Sequence, residues 1–402
     1  MEKIKKKENS IITIAFGFLF GLMLFPSNIK SVLIIIVGII VLLSFCRNKF
    51  NFDKRYFISN TIYFLILLLT LWYTEDLSTA WLKVQTMLSL LAFPLFISLI
   101  NANDRKTLIK NTYIYLWIYI IGVVLYNTIS FLWFYSNIPN YSFLGMSYHL
   151  KNFIMNNIGK YGIHPIYMSI HCGLAVLFSL NLFLTLKKRF LKFVLLLLNI
   201  ILFFFLLIYA RKGPIIAFFL TLITFLFMEY KKYFKYNLLI VFGLILIFSL
   251  IPTTRNRFLE LSKVEKTAVD ESSSSNIRFT IYKNSYYLVK DAPFFGYGIG
   301  DYQHELNQSY RNNAPFLLDK VYNSHNQYLG FLLIGGIVLL LAFLFYFSNK
   351  FIVAYQTKNT LLIIVLVFYG IVMLFENILE RENGVIFFAL FINFFSLKKV
   401  EK

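Results

Sequence analysis

Apolar residues in this chain come in long unbroken runs, and polar residues are confined to the gaps between them. A helix of about 20 apolar residues crosses a hydrocarbon core of roughly 30 Å, and it satisfies its own backbone hydrogen bonds, as lipid requires. Twelve such runs are legible, at 11–25, 32–45, 56–73, 84–100, 112–135, 165–186, 193–210, 214–228, 237–251, 327–347, 360–374 and 385–395. The pattern predicts an all-α polytopic membrane protein with about 12 transmembrane helices, forming one integral membrane domain over 1–402. Basic residues precede the first run, as in a secretory signal. No small-residue cleavage site follows, however, and a second run begins at once, so this segment reads as a retained anchor.

Two gaps are long enough to carry function, the segment 136–164 and the larger segment 253–326 between the ninth and tenth runs. The larger one opens polar over 253–275 and becomes amphipathic over 277–290. A helix is expected there, with Ser275 or Asn276 capping its first N–H groups. Phe279, Tyr282, Tyr286 and Val289 recur at helical spacing and would face the membrane surface or the bundle, and Arg278 falls in the first turn. A breaker, Pro293, follows. The glycines of Gly296, Gly298 and Gly300 lack the preceding strand and following helix of a dinucleotide fingerprint. They read as a turn where backbone approaches a ligand or a helix. No repeat of fixed period is present.

Composition agrees with lipid as the solvent, since 58% of residues are hydrophobic. The formal net charge of +20 would suggest a nucleic-acid partner in a soluble protein, but its placement gives a different answer. With the N-terminus in the cytoplasm, 23 of the 39 lysines and arginines fall in 3–7, 47–55, 105–110, 187–192, 231–235, 350–358 and 398–402, all cytoplasmic by the count of crossings. Nine more lie in the large outer loop, too long to obey the rule, and seven in all other outer segments. The excess is a positive-inside signal. It places both termini in the cytoplasm and implies no nucleic-acid partner. Cys46 and Cys172 lie too far apart along this topology to form a disulfide.

The five histidines, His149, His164, His171, His304 and His325, all map to outer loops or outer ends of spans. Imidazole is the side chain best suited to move a proton near neutral pH, so this placement points to chemistry on the outer face. His164 and His171 are seven apart, whereas zinc ligation on one helix favours a spacing of four, and no carboxylate is near either in sequence. His164-Pro165 reads more simply as a helix start. Arg211-Lys212 sits in a short outer turn against the inside rule. The pair either snorkels to headgroups or holds an anionic phosphate. His325 stands where the large loop enters the tenth run, and by position alone it reads first as an interfacial anchor or cap and only second as a base.

Three segments, in this order and on this side, resemble the O-antigen ligase/Wzy-type polymerase family. Ala210-Arg211-Lys212-Gly213 is similar to that family's Ser-Arg-Gly turn, with Ala210 and Lys212 as departures. Arg278 through Tyr282, followed by Asp291-Ala292-Pro293-Phe294-Phe295-Gly296-Tyr297-Gly298, resembles its arginine and Asp-x-Pro-x-x-Gly-x-Gly turn. His325-Asn326-Gln327-Tyr328-Leu329 resembles its His-Asn-x-Tyr-Leu signature, and His164-Pro165-Ile166-Tyr167 a further segment seen in some members. The best-matched region is 210–347. Ile334 stands where the family often has an acidic residue.

The resemblance implies a GT-C-like membrane glycosyltransferase fold and a donor glycan on undecaprenyl diphosphate. The acceptor would be a sugar such as that of lipid A-core, in the periplasm at the bacterial inner membrane, with no metal, nucleotide or other cofactor. Arg211 and Arg278 would hold the diphosphate and His325 would act as general base. Lys212, Asn326, Tyr328, Tyr282 and His164 are further candidates for substrate binding. The nearest rival is a polymerase of the same family. A transporter of lipid-linked glycans is a second, and would be marked by repeats and broken helices, which the sequence does not clearly show.

Overall fold

The computed structural model describes residues 2–48, 52–137, 143–231, 234–262, 274–292 and 294–397. Pro293 and the polar stretch 263–273 fall outside them. Among the described residues there are eighteen α-helices and no β-strand. In chain order they are α1 (Glu2–Phe20), α2 (Ser27–Asn48), α3 (Lys54–Leu69), α4 (Leu77–Met87), α5 (Ser89–Leu99), α6 (Ala102–Lys110), α7 (Thr112–Asn137), α8 (Phe143–Asn157) and α9 (Pro165–Thr185). There follow α10 (Arg189–Tyr209), α11 (Lys212–Glu229), α12 (Phe234–Leu250), α13 (Pro252–Ser262), α14 (Ser274–Asp291), α15 (Tyr302–Asn313), α16 (Gln327–Gln356), α17 (Thr360–Val372) and α18 (Glu382–Phe395).

Seven helices are long and apolar enough to cross a membrane, namely α2, α3, α7, α9, α10, α11 and α16. The run expected over 84–100 is not one straight span. It is the bent pair α4 and α5, turned by 40° at Leu88, and counts as an eighth if the two halves cross together. The remaining four runs form apolar helices of 10–17 residues, within α1, α12, α17 and α18. The most enclosed helix is α9, buried from Pro165 to Ser179 almost without interruption. It packs against α7, α10, α11 and α17.

Contacts sort the connecting segments to two ends of the bundle. At one end Arg105 pairs with Asp53 at 3.3 Å, Thr360 bonds Glu229, and the Asn359 side chain donates to the carbonyl of Phe395 at 2.7 Å. At the other end the Asp301 carboxylate accepts from Thr74 Oγ1 and from the N–H groups of Glu75 and Asp76, at 3.0, 2.7 and 2.8 Å. That second end carries the large loop.

The large loop is mostly helical. The amphipathic stretch 277–290 is α14, which begins at Ser274, so Ser275 and Asn276 lie inside its first turn and are buried rather than capping it. Its packed side overlaps the aromatic stripe only in part, through Tyr282 and Val289. Ile281 joins Leu306, Tyr310 and Leu317 in a small second core, with Ile277 and Leu288 against it, while Phe279 and Tyr286 are exposed. This small core holds α15 and the turn at Pro315 against α14, while Tyr302 at the start of α15 is buried in the main core. The smaller loop 136–164 likewise contains a helix, α8, which the sequence pattern missed.

One long helix is broken. Gly335 and Gly336 leave helical geometry inside α16, with Gly336 at φ 61° and ψ −159°, a region open to glycine and hardly to any other residue. The break frees the carbonyls of Leu333 and Ile334, which accept from the N–H groups of Tyr297 and Gly298 at 2.8 and 2.9 Å. The glycine-rich turn is therefore a dock for helix backbone. A Cβ on Gly336 would lie 1.9 Å from the carbonyl oxygen of Phe294.

Candidate active site

Four separate chain segments converge at the end of the bundle that carries the large loop, and each is set by local backbone chemistry. The first is the start of α9, where Pro165 takes the first helical position and His164 caps it, its Nδ1 accepting from the Ile166 N–H at 3.3 Å. The expectation that His164-Pro165 marks a helix start holds, but the same imidazole also lines a cavity.

The second segment is the turn between α10 and α11. Ala210 closes α10 in the left-handed region at φ 44°, the conformation common just past a helix end. Arg211 then stands extended at the N-cap of α11. Gly213 is small for a reason, since a Cβ there would meet Phe375 at 2.8 Å. That close approach brings the Arg211 turn beside the loop after α17. Lys212 points elsewhere. It is buried, and its Nζ donates to Ser275 Oγ at 2.7 Å, tying α11 to the start of α14.

The third segment is α14, which presents Arg278. The fourth is the segment before α16, where His325 is held at φ 45°, a backbone state uncommon outside glycine and found disproportionately at functional sites. Its N–H donates to Asn323 Oδ1 at 3.1 Å. Its carbonyl accepts from the Tyr282 hydroxyl at 3.1 Å. Asn326 is the N-cap of α16, accepting from the N–H groups of Tyr328 and Leu329, and the Tyr328 hydroxyl donates to the carbonyl of Gly370 at 2.9 Å. Asn326, Tyr328 and Tyr282 thus hold the frame around His325.

Between these segments lies a residue that sequence inspection passed over. Glu376, in the loop after α17, is 9% exposed. Its Oε2 lies 3.3 Å from His325 Nδ1 and 3.8 Å from the Arg278 guanidinium. Burial pushes this carboxyl up, but the hydrogen bond and charge of His325, with Arg278 and His164, outweigh it and hold the group below the usual glutamate range. His164 moves the other way. Burial and the charge of Arg211 press it from its ordinary 6.5 to about 4, with Lys151 and Arg381 adding to them and Glu376 opposing.

Arg211, Arg278, His325, His164, Glu376 and Arg381 all line one cavity of about 650 Å³, as do Tyr322, Glu380 and Glu382. That volume suits a drug-sized or sugar-phosphate ligand. Lys212, Asn326, Tyr328 and Tyr282 are not on its wall. Of the other histidines, His171 is buried inside α9 with its Nδ1 2.7 Å from the Tyr119 hydroxyl. It therefore shares no site with His164. Among the described residues, no three His, Cys, Asp or Glu side chains are grouped to hold a metal ion.

Seven helices of membrane-spanning length and composition, or eight with the bent pair, define a polytopic membrane protein, with a cavity lined by several ionisable residues at the end that carries the large loop. The family model described as O-antigen ligase matches residues 197–344, so the resemblance carried by the three motifs holds. The matched segment includes Arg211, Arg278 and His325, but neither His164 nor Glu376. No curated protein matches the chain.

Proposed function

We propose that this protein is a glycosyltransferase of the O-antigen ligase type, moving a glycan from undecaprenyl diphosphate to an acceptor sugar at the outer face of the inner membrane. The observation that carries the reading is the meeting of Arg211, Arg278 and His325 on one cavity wall from segments 67 and 47 residues apart. Two guanidinium groups suit a diphosphate, which they can bind bidentately without losing their charge. Preorganised cations aimed at the departing diphosphate are worth on the order of a few kcal/mol each. His325 takes the acceptor's hydroxyl proton, a contribution of about 10²- to 10⁴-fold. A single displacement of this kind inverts the anomeric carbon.

The test is glycan transfer by Arg211→Ala, Arg278→Ala and His325→Ala in correctly inserted protein, using lipid-linked glycan extracted from the source bacterium. Each variant should lose at least about 100-fold in rate, and near-normal transfer by any of them removes that residue from the site. Chelation should leave the rate unchanged, and loss with EDTA that a divalent ion restores would overturn the metal-independent scheme. Offering lipid A-core alongside a second lipid-linked repeat identifies the acceptor. A single addition marks a ligase and a growing ladder a polymerase. The broken α16 is a feature that transporters share, but here the break docks a turn of the same chain and so has a local cause. Release of undecaprenyl diphosphate on turnover separates transfer from transport.

A further inference from the structure

Glu376 has no part in the scheme above, yet the chain spends many contacts on placing it. The segment 323–327 and the loop after α17 are joined crosswise. Gln327 donates its N–H to the Met373 carbonyl at 2.8 Å and accepts from the Leu379 N–H on its side chain at 2.8 Å. Asn377, fully buried, bonds Ser324 Oγ at 3.0 Å. The Tyr282 hydroxyl reaches the carbonyls of both His325 and Leu374, each at 3.1 Å. These bonds fix the position of Glu376 relative to His325 before any substrate arrives.

We infer that Glu376 is a positioning residue for this reaction: it holds His325 as the Nδ1-protonated tautomer, so that Nε2 carries the lone pair that accepts the acceptor's proton. This rests on His325 being the base. A neutral imidazole has one donor and one acceptor nitrogen, and the partner of one decides the role of the other. The carboxylate next to Nδ1 can only accept, so Nδ1 keeps the proton. The acceptor hydroxyl's proton then passes to Nε2 as its oxygen bonds the anomeric carbon and the bond from that carbon to the diphosphate oxygen breaks. The imidazolium formed is stabilised by Glu376 and returns its proton to water. Arg278 on α14 shares the same carboxylate oxygen; His164 before α9 also bears on Glu376 electrostatically, and Arg211 at α11 bears on His164. The base and a diphosphate-binding arginine are thus placed by one side chain.

The decisive measurement is ¹⁵N NMR of histidine-labelled full-length protein in lipid nanodiscs, without substrate, with His325→Gln identifying the signal. The expected result is the Nδ1–H tautomer at His325, shifted toward Nε2–H in Glu376→Gln. Finding mainly Nε2–H in the unmutated protein overturns the inference without any Glu376 variant having to fold. In transfer assays with the extracted donor, Glu376→Gln should lower kcat by about 10²- to 10⁴-fold with donor KM within about threefold. Glu376→Asp should recover part of the loss, and Glu376→Gln added to His325→Ala should cost nothing further. A loss confined to donor KM would make Glu376 only a counter-ion of Arg278. Full activity in His325→Ala would remove the base itself, whereas an inactive His325→Ala beside a fully active Glu376→Gln would overturn only the role given to Glu376.

Discussion

His164 and Glu376 face the same cavity, and both make the site sensitive to acid. An acid held below its ordinary 4.5, as Glu376 is, contributes stability that is present above 4.5 and is lost as pH falls through the depressed folded value. His164 is kept neutral, at about 4 against an ordinary 6.5. Its unfolded form takes up a proton first, so stability falls as pH drops from about 6.5 to about 4 and levels off below. We expect the thermal midpoint of the purified protein to fall across that window. His164→Gln should flatten the fall by an amount on the order of 2 kcal/mol, allowing for partial exposure. An unchanged slope in that variant would show that His164 is not the group titrating. Residues of this kind differ in how visible they are in sequence. Arg211 and His325 stood out because each breaks a local pattern, a charge in an outer turn or an imidazole at the head of a span. Glu376 breaks none. It lies 51 residues after His325 in a short loop, and only the fold brings the two together. The available hint was that Glu376, Glu380 and Glu382 crowd one short segment between two apolar runs in a chain with only 19 acidic residues.

The element on which the site depends most is the upper half of α16, because His325 and Asn326 lead into it and the glycine-rich turn docks on its break. Gly296 and Gly336 pack backbone to backbone, and a Cβ at either would fall within 2.7 Å of a main-chain atom of the other segment. Gly336→Ala should therefore displace the 294–298 turn from α16. At φ 61° and ψ −159° it also adds backbone strain of about 1–3 kcal/mol. We expect this variant to insert into the membrane but to lose most of its transfer activity, with faster proteolysis of the large loop; wild-type activity and cleavage would show that the docked turn is dispensable. Gly243 offers a control, since nothing lies within 4 Å of its added Cβ. At this scale the sequence was partly legible. The amphipathic period found α14 to within three residues, because period survives without tertiary contacts. The bend at Leu88, the break at Gly335 and the burying face of α14 were hidden, since each is decided by what the helix packs against.

Across the whole molecule the two ends of the bundle have opposite chemistry. One holds Arg105 of α6 paired with Asp53, and Arg47 stands in the last turn of α2. The other gathers the cavity. An inside-outside ordering can be read from sequence because charge bias is written linearly along the chain, loop by loop. The convergence of four segments on one cavity was not, because it depends on how the helices pack around α9. The positive-inside bias predicts a cytoplasmic location for the cationic end, and two native thiols make this testable without redesign. Cys46 is exposed beside Arg47 at the end of α2, and Cys172 is buried in α9. A membrane-impermeant maleimide should label Cys46 in inverted vesicles and leave it unlabelled in right-side-out ones. Cys172 should react in neither until the protein is denatured. In a Cys46→Ser background, Lys320→Cys, exposed in the large loop, should react with the opposite preference. Labelling of Cys46 from the outside would invert the topology, place His325 and both arginines in the cytoplasm, and exclude a reaction at the outer face whatever the cavity's chemistry.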